Sequence, residues 1–271
     1  LPLTSAAGYD APLLDTPSSI TVLNHKLLED QQAQLLSQVL RNDASIGDSY
    51  APVGYYENFV IRGFALDLAS SYKINGRTIT GEQNVALENK ERVEVLKGLA
   101  GLASGIAAPA GLVNFVTKRS EEIRTVTAGT NDQGGSYLAT DLGHWFDADH
   151  RYGARINLAS EDIKSYVEHT DGRRRFSSLA IDAKPTDRLT LALDAEFQDK
   201  AQRSASGYQL LGGSTLPADF SPRRLLGYQT WASPVTNRSL NLDGRVEYRF
   251  TEDWRAKLSA SRSRAKIDDN V

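Results

Sequence analysis

The side chains best suited to a metal site in this sequence are its histidines, and they are scattered singly. Cysteine is absent, which excludes thiolate zinc sites and cysteine nucleophiles. No two histidines have the spacing of a metalloprotease motif. We therefore expect surface or interface roles, and no protein metal site, for His25, His144, His150 and His169.

The carboxylates and glycines form no catalytic or nucleotide-binding pattern. Along the second half of the chain Asp and Glu alternate with Arg and Lys, which is typical of a polar wall and not of an acid and base pair. The spacing of Gly98, Gly101 and Gly105 lacks the Lys-Ser/Thr of a phosphate-binding loop. We predict that the protein is not an enzyme.

Charge and length limit the partners and the domain count. The chain has 271 residues, a formal net charge of -3 and no run of Lys or Arg longer than the three arginines at 173–175. Such a chain has no basic field that would attract nucleic acid, so we expect no nucleic-acid partner. Its length suits one large domain or two ordinary ones.

The longest uncharged run extends over twenty residues, from Gly98 to Thr117, which is enough for a transmembrane helix. Its glycines, its proline and its many Ala and Ser residues make a spanning helix unfavourable. The flanking segments 92–95 and 112–117 have the alternation of strands. The run is therefore predicted to be strand, small-residue loop, strand.

Both helices and strands are predicted in the first half of the chain. Asn24 could cap a helical run that places Leu28, Leu35, Leu36, Val39 and Leu40 near one face. Short strands are predicted at Phe59–Arg62 and Tyr72–Ile74, followed by Asn75-Gly76, the strongest hairpin-turn signal in the chain. This half is predicted to be a small α+β domain.

The second half alternates with period two, which predicts about seven strands. Leu189, Leu191 and Leu193, for example, alternate with more polar neighbours. The predicted strands are 121–130, 135–145, 151–160, 175–184, 188–197, 239–250 and 254–260.

The connections between these strands alternate in length. Segments 146–150, 185–187 and 251–253 are short, whereas 161–174 and 198–238 are long. Strands of about ten residues, aromatic residues near the short turns and long loops at the other end are typical of an outer-membrane β-barrel. A soluble antiparallel sandwich also alternates apolar and polar residues, so periodicity alone leaves both folds open.

Five separated motifs resemble the plug domain of TonB-dependent outer-membrane receptors, most closely the ferric-siderophore branch. The resemblance covers roughly residues 10–160. In chain order the motifs are LLDTPSSITVL, YYENFVIRGF, YKINGRTI, LENKERVEVLKG and APAGLVNFVTKRS.

The resemblance implies an α+β plug domain over residues 1–119, followed over residues 120–271 by antiparallel strands of a transmembrane β-barrel. Plugged transporters of this type have about 22 strands, so about seven make an incomplete barrel. We therefore expect the N-terminal portion of a longer receptor in the outer membrane of a Gram-negative bacterium. The uncharged run would then lie in the plug, shielded from lipid.

The function implied by the resemblance is binding of a ferric siderophore and its import with energy from TonB and the inner-membrane complex that drives TonB. The siderophore would carry the iron, so no protein cofactor is expected, and the outer-membrane lipid would surround the strands. Uptake of haem, cobalamin or a glycan is an alternative within this class. A soluble β-rich binding or structural protein is the alternative from another class.

The resemblance also places ligand contacts at exposed apices of the plug. Tyrosines offer flat amphipathic surfaces for an iron chelate, and polar residues offer hydrogen bonds. The predicted ligand-binding residues are Tyr50, Tyr55, Tyr56, Asp67, Leu68, Gln83 and Asn84. For Arg62, Glu94 and Lys97 we expect mainly a structural role in holding plug strands together.

Overall fold

The fold was analysed in a computed structural model, which describes most of the chain. The described residues are 3–4, 11–12, 15–16, 18–50, 52–98, 108–205, 207 and 210–269. Among them, no helix is long and apolar enough to span a membrane.

The first half of the described chain contains short strands and two short helices. In chain order they are β1 Leu3–Thr4, β2 Ala11–Pro12, β3 Ser19–Asn24, α1 His25–Asp30, α2 Leu36–Leu40, β4 Ile46–Tyr50, β5 Asn58–Ile61, β6 Phe64–Ala65, β7 Tyr72–Ile74, β8 Arg77–Thr78, β9 Lys90–Lys97 and β10 Gly111–Thr117. A five-stranded sheet has the order β3-β9-β10-β7-β8, with only β7 and β10 parallel. A three-stranded sheet has the order β4-β5-β6, and β1 pairs with β2.

The core of this half lies between the helices and the two larger sheets. Val39, Val93 and Val95 are fully buried, and Phe59 and Phe115 are nearly so. The predicted α+β plug is therefore confirmed in fold, with β-branched residues filling the central strands as expected for a pleated surface.

The helical run predicted after Asn24 is interrupted. The Asn24 side chain does cap α1 by accepting a hydrogen bond of 3.0 Å from the Leu27 backbone amide. The chain then turns at Gln32, where φ is 48°, and a second helix begins at Leu36. The side chain of Gln38 accepts hydrogen bonds from the amides of Gln34 and Leu35, which satisfies the start of α2.

The turn at Asn75 and Gly76 joins β7 to β8 as predicted. Both residues have positive φ, 50° and 82°, the combination that a type I′ hairpin turn requires. The strand predicted at Phe59–Arg62 is observed one residue earlier, at Asn58–Ile61. Arg62 has left the strand, with a φ of 51°.

Strands lie at both ends of the uncharged run, as predicted. Strand β9 ends at Lys97 and β10 begins at Gly111, and the two strands pair antiparallel. At Gly111 φ is 122° and a β-carbon would lie 2.0 Å from the Leu96 carbonyl oxygen, so only glycine fits. The middle of the predicted loop, residues 99–107, lies outside the described residues.

The second half forms one antiparallel sheet of seven strands in chain order, which confirms the predicted strand count. The strands are β11 Ile123–Thr130, β12 Ser136–Trp145, β13 Tyr152–Ile163, β14 Gly172–Thr186, β15 Leu189–Gln202, β16 Val235–Arg249 and β17 Arg255–Asp268. Several are longer than predicted, up to 15 residues in β14 and β16. At one end the connections are 131–135, 164–171 and 203–234, and at the other they are 146–151, 187–188 and 250–254.

The two faces of this sheet have opposite polarity. On β15, Asp194 and Glu196 face the first half of the chain and are buried, whereas Leu193 and Phe197 face outward and are 47% and 44% exposed. A soluble sandwich would bury its apolar face, so the outward apolar face excludes that alternative. The exposed Phe146 and Trp254 lie beside the short turns, where a membrane interface favours aromatic rings.

Candidate ligand-binding face

Three of the predicted site residues form one aromatic cluster. The ring centroids of Tyr55 and Tyr56 lie 4.8 Å apart, and Tyr50 lies 6.0 Å from Tyr55 and 5.4 Å from Tyr56. Tyr50 ends β4, and the other two lie in the loop before β5. Tyr50 is 46% exposed, so the cluster presents aromatic surface to solvent.

Burial and neighbouring carboxylates favour the protonated phenols of Tyr55 and Tyr56. Burial raises the pKa of Tyr55, and the neighbouring carboxylate of Asp269 raises it further. Burial followed by Glu82 raises the pKa of Tyr56. Protonated phenols can donate hydrogen bonds to ligand oxygen atoms.

The tyrosine loop is attached to the long-loop end of the sheet. The Ala205 amide, just after β15, donates a 2.9 Å hydrogen bond to the Val53 carbonyl. At Gly54 φ is 85° and a β-carbon would lie 2.3 Å from the Arg203 carbonyl oxygen. The close approach of these two backbones fixes the cluster at the end of the sheet opposite the short turns.

Asn84 links the tyrosine loop to the wall. Its side-chain nitrogen donates to the Tyr55 backbone carbonyl at 2.8 Å, and the backbone carbonyl of Asn84 accepts from the Gln198 side chain at 2.6 Å. Gln83 is 4% exposed. Its side-chain nitrogen donates to the Thr80 carbonyl, and its side-chain oxygen accepts from the Asn241 side chain. Asn84 is thus partly accessible beside the tyrosines, whereas Gln83 is held between plug and sheet.

Asp67 and Leu68 lie in a neighbouring turn. The exposed Asp67 carboxylate accepts from the Ala69 amide at 3.0 Å and from the Ser70 hydroxyl at 2.8 Å. The Leu68 carbonyl accepts from the Gly81 amide at 2.8 Å, which joins this turn to the segment carrying Gln83 and Asn84. The seven predicted residues therefore lie on three neighbouring segments, which the hydrogen bonds of Asn84 to Tyr55 and of Gly81 to Leu68 connect.

Buried and partly buried ion pairs join the plug to the inner face of the sheet, and sequence reasoning did not identify them. Lys90 is fully buried, and its ammonium lies 2.6 Å from a carboxylate oxygen of Glu196. Arg77 lies 2.6 Å from Asp243, and Arg119 lies 2.9 Å from Asp194. The only signal in the sequence was the series of acidic residues at inward positions of β15 and β16.

Arg62, Glu94 and Lys97 all bond within the plug. The Arg62 guanidinium donates to the Ser19 hydroxyl at 3.0 Å, and the fully buried Glu94 accepts from Arg92 at 2.8 Å. Lys97 forms an ion pair with Asp43. Burial would raise the pKa of Asp43, but hydrogen bonds from Lys97, Ser45 and Thr21 lower it below its ordinary value.

The four histidines remain apart in the structure. His25 pairs with Glu29 on α1, and His144 contacts Glu122 beside a short turn. In the described parts of the chain, no group of three or more His, Cys, Asp or Glu side chains is placed to hold a metal ion.

These features define a class of protein. A sheet of long antiparallel strands, apolar outside and polar inside, with a small α+β domain bound to its inner face, is the arrangement of a plugged outer-membrane β-barrel. The exposed aromatic cluster at the long-loop end is the candidate ligand-binding face of such a protein.

Comparison with known proteins identifies the family. Residues 12–112 match the TonB-dependent Receptor Plug Domain. The ferrichrome receptor FcuA of Yersinia enterocolitica is 27% identical over 92% of this chain and 34% of that receptor. The ferric-pyoverdine M114 receptor PbuA of Pseudomonas sp. strain M114 is 26% identical over 94% of this chain and 32% of that receptor. The crystal structure of BauA, the ferric preacinetobactin receptor from Acinetobacter baumannii, matches with a TM-score of 0.85 and 26% identity over 95% of this chain and 39% of that chain.

The chain belongs to the family of TonB-dependent receptors, which lie in the outer membrane of Gram-negative bacteria. It spans about a third of the length of the two receptors matched by sequence. Its seven strands therefore correspond to part of the barrel wall of such a receptor.

Proposed function

We propose that the receptor containing this chain binds a ferric siderophore at the outer face of its plug and imports it with energy delivered by TonB and the inner-membrane complex. The observation that carries this proposal is the similarity to receptors named for ferrichrome, ferric pyoverdine and ferric preacinetobactin. The exposed tyrosine cluster supports it, because a chelate of this kind needs a flat amphipathic surface with hydrogen-bond donors.

The iron in this proposal is cargo, held by the siderophore and not by protein ligands. The protein supplies surface and hydrogen bonds only, and it performs no catalysis. The similar proteins are named as receptors, which supports a role in binding and transport.

Within the proposed site, we assign ligand contact first to Tyr50, Tyr55 and Tyr56, with Asn84 and Asp67 as polar neighbours. Gln83 and Leu68 are the remaining two residues of the predicted set. Gln83 holds the turn that carries Asn84, because its side-chain oxygen accepts a hydrogen bond from Asn241 of the wall.

We also propose a boundary between plug and barrel at residues 119 and 120. The last plug strand ends at Thr117 and the first wall strand begins at Ile123, so the boundary falls in a five-residue connection, 118–122. The family match over residues 12–112 supports a plug of this extent.

The decisive experiment is growth rescue by the full-length gene in an iron-uptake mutant supplied with a panel of iron chelates. We expect rescue on at least one siderophore, and loss of that rescue when TonB is deleted. The panel includes haem, and parallel assays with cobalamin and a glycan test the alternative cargoes. Rescue on none of the siderophores, with rescue on one of the other cargoes, would contradict the proposal.

A further inference from the structure

The long loop between β15 and β16, residues 203–234, is closed at its base by Arg203. The Arg203 guanidinium donates two hydrogen bonds to the Ala232 carbonyl, 2.8 Å from Nη2 and 3.3 Å from Nε. Ala232 lies shortly before Val235, where β16 begins. Arg203 therefore joins the two ends of the long loop, and these contacts restrain its own backbone.

The Tyr228 ring gives Arg203 a second anchor within the long loop. The guanidinium carbon lies 5.1 Å from the centroid of the Tyr228 ring, which is within the range of a cation–π contact. The same ring stacks on the His169 ring, with centroids 4.1 Å apart and an angle of 13° between the ring planes. His169 belongs to the neighbouring connection, residues 164–171, so the stack joins the two connections.

Hydrogen bonds strengthen the junction of these two connections. The Glu168 amide donates to the Arg223 carbonyl at 2.8 Å, and the Gln202 side chain donates to the Thr170 carbonyl at 3.0 Å. Gln202 and Thr170 are both buried, so their hydrogen bond is shielded from competing water. The end of β15 is thus held in place immediately before Arg203.

The backbone of Arg203 is also where the tyrosine loop, residues 52–57, meets the wall. A β-carbon on Gly54 would lie 2.3 Å from the Arg203 carbonyl oxygen, so the two backbones are in direct contact. Arg203 therefore contacts the loop that carries Tyr55 and Tyr56 through its carbonyl, and the long loop through its guanidinium. Loss of the side-chain anchor would free the backbone that supports the tyrosines.

We propose that Arg203 and Tyr228 are positioning residues for the ligand face: the long loop, anchored on the Tyr228 ring, holds the Arg203 backbone against Gly54 and so fixes the tyrosines. The inference rests on the proposed function, since it concerns affinity for the chelate bound there. Neither residue has to contact the chelate in this role. Changes at Tyr228 and at Gly54, which has no side chain, should therefore reduce affinity through the same backbone contact.

Two matched pairs of variants of the full-length receptor test this role. Gly54→Ala is compared with Gly63→Ala, because both glycines have a φ of 85° but a β-carbon on Gly63 would meet no described atom within 4 Å. The backbone strain is therefore comparable, and only Gly54→Ala pushes the tyrosine loop away from Arg203. Tyr228→Ala is compared with Tyr228→Phe, which keeps the ring and its contacts with Arg203 and His169.

Affinity is measured with the ⁵⁵Fe-labelled siderophore on which the wild-type receptor rescues growth, in variants whose heat-modifiability shows normal assembly. We expect Gly54→Ala and Tyr228→Ala to bind roughly fivefold or more weakly, and both controls to stay within about twofold of wild type. In the Gly54→Ala background, Tyr228→Ala should add less than about a further twofold, because both changes act through one contact. A full additional loss would mean that Tyr228 contacts the chelate directly, and it would overturn the positioning role.

Hydrogen exchange provides a readout that needs no chelate. The Ala205 amide donates to the Val53 carbonyl across the same junction. In the chelate-free receptor, peptides containing this amide should exchange faster in Gly54→Ala and Tyr228→Ala than in the two controls. Equal exchange in all four variants would contradict the junction. His169→Ala, which removes the stacking partner of Tyr228, replaces Tyr228→Ala if that variant fails to assemble.

The two proposals fail differently in these experiments. If the wild-type receptor imports no siderophore from the panel, the proposed function is contradicted, and hydrogen exchange still tests the junction. If it imports a siderophore but Gly54→Ala and Tyr228→Ala bind that siderophore as well as their controls do, the function stands and the positioning role of Arg203 and Tyr228 is wrong.

Discussion

At the scale of single residues, the tyrosine cluster illustrates how a loop can present a rigid binding surface. The three rings support one another at 4.8 to 6.0 Å, so little side-chain entropy remains to be lost on binding. The loop itself is held by the Asn84 amide and by the backbone contact of Gly54 with Arg203. A chelate would therefore meet a preorganised surface.

Truncation of Tyr56 should weaken chelate binding. Tyr56→Ala removes ring area and one hydrogen-bond donor, a loss of about 1 to 3 kcal/mol if the ring is a central contact. This corresponds to an affinity roughly five- to a hundredfold weaker. The measurement is fluorescence quenching of the full-length receptor during titration with the rescuing chelate.

A second site variant and a control variant show whether the effect of Tyr56→Ala is specific to the ligand site. Asn84→Ala should weaken binding through loss of its support for Tyr55, whereas Gln31→Ala, on the exposed end of α1, should bind like wild type. Expression and heat-modifiability should remain normal in all three. If Tyr56→Ala and Asn84→Ala both bind with wild-type affinity, the site lies elsewhere in the receptor.

Within the plug, the pair of Lys97 and Asp43 should contribute measurably to stability. Both side chains are about nine-tenths buried, so Asp43→Asn leaves a buried ammonium without its charged partner. We expect a loss of about 1 to 3 kcal/mol, from the range for hydrogen bonds to charged groups. The readout is faster hydrogen exchange of β3 and β9 in the full-length receptor, and Asp30→Asn, in an exposed pair with Lys26, is the control.

The direction of the Asp43 pKa shift determines how the stability contributed by the Lys97–Asp43 pair depends on pH. The folded pKa of Asp43 is lowered, so its stabilisation is fully present above the ordinary carboxyl value of about 3.9 and is lost only as pH falls through the lower folded pKa. The difference between Asp43→Asn and wild type, corrected for intrinsic exchange rates, should therefore be the same at pH 7 and pH 5. A difference that disappears by pH 5 would contradict this assignment.

At the scale of elements, the strands of the wall are defined by their two environments. Outward positions contact lipid and inward positions contact the plug or water, which produces the period of two visible in the sequence. Leu242 lies at the middle of β16 and faces outward, 38% exposed in this chain. Thr190 of β15 faces inward and pairs with Glu247.

An arginine substitution should impair assembly on the outward face of the wall but not on the inward face. Leu242→Arg places a charge near the middle of the bilayer, at a cost of about 2 to 4 kcal/mol, and should impair assembly of the full-length receptor. Thr190→Arg points into the lumen beside Glu247 and should assemble normally. Heat-modifiability in isolated outer membranes gives the comparison, and equal assembly of both variants would reject the lipid-facing assignment of Leu242.

The period of two was sufficient to predict all seven wall strands, but not their full length. Strand β14 begins at Gly172, in a run of arginines that shows no alternation of polarity. Arg174 belongs to the strand because it pairs with Glu161 on β13 and with Glu88 of the plug. The second partner is 86 residues away in sequence, so no local pattern could reveal it.

The plug was less predictable from local patterns than the wall. The cap at Asn24 and the turn at Asn75-Gly76 depend on neighbouring residues and were identified. The break at Gln32 was not, because its surroundings retain helical spacing of leucines. The tyrosine cluster followed from family resemblance, since its three members are brought together by pairing of β4 with β5 and not by sequence spacing.

At the scale of the whole molecule, the plug and the wall stabilise each other through polar contacts. The inward faces of β15 and β16 are covered by Lys90, Arg77 and Arg119 of the first half. These charges are neutralised only when both halves are in place, so neither surface is complete alone. The two halves should therefore assemble cooperatively.

The wall sheet has two edge strands, β11 and β17. Within the described residues, β11 pairs only with β12, and β17 pairs only with β16. Each therefore has one edge whose backbone amides and carbonyls lack strand partners. In lipid such groups have no water to bind, so an open edge is costly and promotes association with other chains.

Residues 1–271 expressed alone should consequently fail to form a membrane-inserted barrel. We expect aggregation, or protection from hydrogen exchange limited to the plug strands, and no heat-modifiable band on electrophoresis. The full-length receptor, refolded in the same detergent, is the control and should show the band. A monodisperse, heat-modifiable species made from residues 1–271 would show that this segment closes its own edges, and the wall would then have to be a smaller barrel than that of the matched receptors.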